Sequence, residues 1–300
     1  MPTGYHFSSL LLLIALLSAL PGCAALPSTT SRAEMSYVSP TLVDLQRLPA
    51  PAGKVFVAVY GFRDQTGQFK PNPAGTSFST SVTQGAASIL VQTLRRSKWF
   101  VPVEREGLNN ILTERKIVRA AVQKPANGAP APEPRPLIPA AIVIDGGIIA
   151  YDTNILTGGM GAKYFGAGGS AEFRSDRVTV FLRAVNVETG EVINSVSASK
   201  TILSQQVDFS LFRFVSLQRL LEAEIGFGAN EPPQQCVQEA IEKAVLALVV
   251  DGIAAGHWNL KSKADLNNPV IHAYMKEATQ SYSTEVGTSQ PSRPEAGSLL

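Results

Sequence analysis

Leu20-Pro21-Gly22-Cys23 closes an apolar run, Leu10 to Leu20, that begins a few residues after Met1. An apolar stretch ended by a small residue and a cysteine has the form of a lipoprotein signal peptide. Residues 1–22 are then expected to be removed, and the amine and thiol of Cys23 to be acylated as a lipid anchor. The run has about half of the roughly 20 residues that a membrane-crossing helix needs, which speaks against an ordinary N-terminal membrane helix. The leader departs from the pattern in one respect: it carries His6 but no Lys or Arg. Ala24, where Asp would hold a bacterial lipoprotein at the inner membrane, points to the outer membrane. Beyond residue 22 no stretch reaches 18 apolar residues, and the best candidate, Ala244 to Ala255, is broken by Asp251 and Gly252. Any further membrane crossing must therefore be made by strands, whose backbone groups pair with one another.

A chain of 300 residues accommodates one large or two small domains. Its formal net charge of +2 exerts no strong pull on nucleic acid, and no nucleic-acid partner is expected. Of the two cysteines, Cys23 is consumed by the lipid, so no disulfide is expected. Cys236 lies in Gln235-Cys236-Val237 with no basic neighbour, which suits a buried structural thiol rather than a nucleophile. Catalysis finds little support. His6 falls in the leader, while His257 and His272 are isolated, without metal-ligand spacing. No Gly-x-Ser-x-Gly elbow occurs, and Gly158 to Lys163 lacks the phosphate-loop spacing. Gly166-Ala167-Gly168-Gly169 does not complete a dinucleotide fingerprint. The expectation is a protein that is not an enzyme, with no catalytic residue, no metal and no cofactor apart from the covalent lipid on Cys23.

Periodicity organises the remainder. Residues 23–47 are rich in Ser, Thr and Pro and read as a lipidated N-terminal arm. Lys54 to Phe62 is a buried strand, Ala86 to Arg96 a helix, Trp99 to Glu104 a strand, and Leu108 to Ile117 a helix with Leu108, Ile111, Leu112 and Ile117 on one side. The Ala/Pro-rich stretch 121–139 is a surface loop. Ala141 to Ala150 and Arg177 to Val187 are strands, and Glu188-Thr189-Gly190-Glu191 turns the second into Val192 to Val196. Pro232 to Asn259 is helical. Residues 265–300 hold a short helix, His272 to Thr279, before a Ser/Pro-rich tail expected to be partly disordered. Interleaved strands and helices indicate an α/β body over residues 48–264.

Two segments fit that body poorly. Between Asp152 and Asp176, around a glycine-rich centre with a candidate turn at Lys163 to Gly166, Ala171 and Phe173 alternate with Ser170, Glu172, Arg174 and Asp176. Between Lys200 and Gly228, Val207, Phe209 and Leu211 alternate with Gln206, Asp208 and Ser210, with Phe212-Arg213-Phe214 near a tip. Leu221, Ala223, Ile225 and Phe227 then alternate with Glu222, Glu224 and Gly226. Period two gives a strand one apolar and one polar face. Lipid outside and water inside a transmembrane barrel require that division. Phe173, Val207, Phe209, Leu211, Leu221 and Ile225 are then the lipid-facing set. A soluble antiparallel sheet with one wet face alternates in the same way, and pattern alone favours it. Phe214 to Ile225 also fits a helix. Four strands cannot close a barrel, so the barrel reading requires a ring of subunits.

Several longer runs carry a resemblance. They are Leu48 to Lys54 (LPAPAGK), Thr66 to Pro71 (TGQFKP), Glu114 to Ala121 (ERKIVRAA), Gly158 to Gly166 (GGMGAKYFG), Ser199 to Ser204 (SKTILS) and Asn230-Glu231-Pro232. In order, and together with the leader, they resemble the CsgG family of curli secretion channels from about Leu48 to Leu260. The resemblance implies an α/β periplasmic body plus two transmembrane β-hairpins per subunit, at about 152–176 and 200–228, contributing to an oligomeric β-barrel. It implies a lipid-anchored outer-membrane homo-oligomer, nine-fold in the family, that lets unfolded curli subunits diffuse to the cell surface. A periplasmic gating adaptor, a surface coupling factor and the outer-membrane lipid are the implied further partners. The family narrows its pore with a loop carrying Tyr, Asn and Phe. The matching loop here is 70–79, where Asn72 stands at the Tyr position, Ser77 at the Asn position and Phe78 at the Phe, in a loop one residue longer. Read without the resemblance, Phe78 is better taken as a loop aromatic anchored in the core. Two other readings remain open: a related channel for another surface adhesin or holdfast component, and a periplasmic lipoprotein that binds a partner and forms no pore.

Overall fold

The computed structural model describes residues 37–70, 79–121, 134–157, 172–208, 211–215 and 232–288. The body opens with helix α1 (Pro40–Arg47). Ser39, in extended backbone, accepts the Leu42 N–H on its Oγ at 2.9 Å, and Pro40 occupies the first turn, where its missing N–H costs nothing. Leu42 and Leu45 are buried. Composition assigns residues 23–47 to the arm, whereas the structure makes Pro40–Arg47 part of the body. A capping serine followed by proline has linker-like composition but marks a helix start.

The chain continues through β1 (Val55–Asp64), a small ribbon of β2 (Phe69–Lys70) and β3 (Ser79–Thr80), α2 (Ala86–Arg96), β4 (Phe100–Val103) and α3 (Leu108–Ala121). Three long strands follow: β5 (Ile142–Thr157), β6 (Glu172–Asn186) and β7 (Val192–Asp208). The short β8 (Leu211–Val215) precedes α4 (Pro232–Ala254), a 3-10 turn (Lys263–Asn267) and α5 (Pro269–Thr288). Six strands form one sheet in the order β4-β1-β5-β6-β7-β8. β1 runs parallel to β4 and β5, and every later pairing is antiparallel. The β6–β7 turn is the expected one: Asn186 Oδ1 accepts the Glu188 N–H at 2.8 Å and Gly190 takes φ 72°, a conformation that favours glycine.

The core lies between the sheet and α4. Cys236, Val237, Ala240, Ile241, Ala244, Val245 and Leu248 are all 0% exposed. α4 packs on β6 and β7 and is flanked by α1, α2 and α5, which explains apolar positions all around it. The stretch that came nearest to a membrane span is thus the end of the central core helix. Among the described residues no helix is long and apolar enough to cross a membrane. Glu242, 2% exposed, ties α1 to α4: it accepts the Ser39 hydroxyl on Oε2 and the Gln238 amide on Oε1. Burial raises the Glu242 carboxyl above the usual carboxylate range, opposed by those two hydrogen bonds. Gly252 faces the Trp258 indole, which a Cβ would overlap.

Two helices depart from expectation. α3 forms where its periodicity predicts, but none of its residues is buried: Leu112 is 41% and Ile117 52% exposed. Its apolar side meets no covering element among the described residues. α5 is longer than the His272–Thr279 stretch that periodicity suggests. It is held by buried Ile271, by the Tyr274 hydroxyl donating to Asp251 Oδ2 at 3.0 Å, and by Lys243 on Glu277 at 2.5 Å.

Candidate functional site at the strand junction

β5, β6 and β7 have 16, 15 and 17 residues, and at about 3.4 Å per residue each spans roughly 50 Å. Their body-side parts belong to the core, with Ile144, Ile148, Val178, Val180, Leu182 and Ile202 at most 2% exposed. Their far parts outrun both neighbours. β1 pairs with β5 only as far as Ile148, where the register shifts between Ile148 and Ala150. A bulge at the end of a partner strand lets the longer strand turn away from it. From Ala150 to Thr157, β5 pairs only with β6 among the described residues. The sheet therefore narrows to four strands, β5 to β8, with β5 and β8 as its edges.

A buried polar cluster marks the point of departure. Asp176 on β6 is 0% exposed. Its Oδ1 accepts the Tyr151 hydroxyl at 2.7 Å and Arg174 Nη2 at 3.0 Å, and Arg174 Nε also reaches Thr153 Oγ1 at 3.2 Å. Oδ2 of Asp176 is buried without a partner among the described residues. Cys236 Sγ donates to the Asp176 carbonyl at 3.4 Å. Burial, reinforced by the Asp176 carboxylate, pushes the Cys236 thiol up to about 12, so it stays protonated and inert at neutral pH. One strand over, Lys200 Nζ pairs with Glu239 Oε2 at 2.6 Å. Side chains from β5, β6, β7 and α4 thus lock the register of the strands where they leave the core. The arrangement holds no nucleophile–base pair; what it does chemically is fix geometry.

A sequence model of the family described as "Curli production assembly/transport component CsgG" matches residues 39–278. The chain is 48% identical over 278 residues to the protein of that name from Salmonella typhimurium, covering 91% of this chain and 97% of that one. The chain belongs to the CsgG family. The Escherichia coli K12 member is 47% identical over 270 residues, covering 89% of this CsgG-family chain and 94% of that one. Among solved structures, the PelC dodecamer from Paraburkholderia phytofirmans aligns at TM-score 0.29 and 15% identity over 66% of this chain and 90% of that one. A likeness at that level carries no argument about assembly.

The expected site residues of this CsgG-family chain are distributed unevenly over the described structure. Cys23 and the loop residues Asn72, Ser77 and Phe78 lie outside the described residues, as do Phe209, Leu221 and Ile225. The strands flanking the loop are described: Phe69 pairs with Thr80 and Lys70 with Ser79, so β2 and β3 close the base of residues 71–78. Phe173 lies in β6, in register with Leu156 and Gln205. Leu211 pairs with Asp208, and the register skips Val207. β7 ends at Asp208 and β8 begins at Leu211, so Phe212-Arg213-Phe214 belongs to the returning strand. The junction cluster escaped the sequence reading, because Arg174 and Asp176 look like the wet half of an alternating strand. The signal that distinguishes them is Tyr151, which pairs with Val178 and so lies diagonally across the hairpin from Asp176, itself opposite Thr153.

Proposed function

We propose that this protein is an outer-membrane channel lipoprotein, anchored by lipid on Cys23 with its body in the periplasm. Copies assemble into a ring through which unfolded curli subunits diffuse to the cell surface. The observation that supports this most is the pair of edges on the four-stranded extension that have no partner strand among the described residues. β8 runs opposite to β5, so β8 of one copy beside the Ala150–Thr157 stretch of the next makes an antiparallel pairing like the others in the extension. Repetition around a ring removes every free edge, which is what a strand-built structure in lipid requires.

The ring, the hairpins' passage through the membrane, the nonameric count and the adaptor and coupling partners rest on the family relationship together with this topology. The same holds for the collar at Asn72, Ser77 and Phe78. An unfolded polar chain needs a hydrated path, and a narrow collar admits only unfolded chains. The test is single-channel current in a planar bilayer, using acylated protein extracted from outer membranes in detergent. Large uniform steps are expected, and Phe78→Ala should raise their conductance. Well-folded, acylated protein that never conducts would overturn the channel in favour of a partner-binding lipoprotein.

A further inference from the structure

At the end of the sheet opposite the hairpins, where β1 and β4 begin, three chain segments enclose a depression of about 610 Å³. Lys54 enters from the residue before β1, Lys98 from the turn before β4 and Lys261 from the segment after α4. Backbone pairing holds all three in place. Ala52 N–H donates to Asn259 at 2.8 Å, Lys261 N–H to Ala50 at 3.0 Å, and Val55 N–H to Trp99 at 3.1 Å. Lys98 sits at φ 64°, a region a side-chain-bearing residue adopts only when its surroundings impose it. Here Ser97 imposes it, donating to the Leu94 carbonyl at 2.6 Å and accepting the Trp99 N–H at 3.2 Å.

The lining contains three exposed lysines and no acidic residue, and none of the three lysines forms an ion pair among the described residues. In a chain with nearly balanced charge, 26 Lys and Arg against 24 Asp and Glu, that local imbalance is a feature of this end. The rest of the lining includes Leu48, Pro51 and Trp99. Trp99 is 1% exposed, and its indole N–H has no acceptor among the described residues. Uncompensated cations around a partly enclosed, partly apolar hollow attract anions and hold them more strongly than a flat surface does.

We infer that this depression docks a short acidic segment of a partner protein, its carboxylates meeting Lys54, Lys98 and Lys261 and its apolar atoms lying on Pro49, Ala50 and Pro51. The hollow is large for a single inorganic anion and of the size that takes several residues. Separate ammonium point charges suit carboxylates spaced along a peptide, whereas a phosphate clamp favours the arginine fork. The site lies away from the hairpins, so it is open to soluble partners, and it does not depend on whether the ring conducts.

The experiment is fluorescence anisotropy of labelled hexaglutamate titrated with the full acylated protein in detergent. Saturable binding that weakens with added salt is expected, reduced about tenfold or more in K54Q/K98Q/K261Q. The control is K116Q/K276Q, which removes exposed lysines elsewhere and should leave binding unchanged. Equal loss in both variants would reduce the effect to general surface charge and overturn the site. So would absence of peptide binding, or occupancy by inorganic phosphate with no affinity for the peptide. Matching thermal unfolding curves for the variants exclude misfolding as the source of a loss.

Discussion

Gly252 lies inside a 23-residue helix, where alanine is ordinarily favoured over glycine by about 1 kcal/mol. A Cβ there would overlap the Trp258 ring, whose indole N–H is committed to the Val249 carbonyl at 2.8 Å and whose face meets Phe100 edge-on at 5.6 Å. Packing outweighs propensity at this position. Gly252→Ala is expected to lower stability by about 1–3 kcal/mol in urea unfolding. An increase would mean that Trp258 swings clear at no cost. Single residues differ in how far sequence reveals them. Cys236 is legible as a buried thiol, because its neighbours supply nothing to lower its pKa. Asp176 is not. A carboxylate in an alternating run reads as solvated, and only the pairing of β5 with β6 brings Tyr151 to it.

At the scale of elements, sequence periodicity finds β1, α2, β4 and α4 closely, but divides β5, β6 and β7 each into a body strand and a separate hairpin segment. The physical reason is that hydrophobic pattern reports burial, whereas strand continuity is a property of backbone pairing. Past Tyr151 and Ile202 the core ends and the side chains turn polar, so the pattern fades while the ladder runs on to Thr157 and Asp208. Helix α1 was hidden for a related reason, its cap and proline sharing the composition of a linker. The edge pairing that the channel reading requires is directly testable. A cysteine at Arg213 in β8, combined with one at Asp152, Thr153 or Asn154 in β5, should give a ladder of disulfide-linked multimers in at least one combination. Links confined to single chains in every combination would show that these edges do not meet.

At the scale of the whole molecule, the two proposed features furthest from the core, the lipid anchor and the pore collar, rest on Cys23 and residues 71–78. Their test is therefore cellular and electrical rather than structural. Cys23→Ser should abolish acylation and remove nearly all of the protein from the outer-membrane fraction. A normally sorted, unacylated variant would overturn the anchor. The family relationship was legible because ordered runs such as Gly158 to Gly166 are far longer than a chance motif. The junction was not, because it is assembled from residues scattered over Tyr151 to Glu239.

The narrowing of the sheet has a further consequence for the proposed ring. Each copy contributes five strands at the level of the body, β4 to β7, and four at the level of the hairpins. With neighbouring strands about 4.8 Å apart, and provided the bodies of neighbouring copies also stand side by side, the proposed ring has a larger circumference at its periplasmic end than at its outer end. In that proposed ring the passage is a funnel. A chain entering it loses room to coil with every step toward the membrane until it emerges.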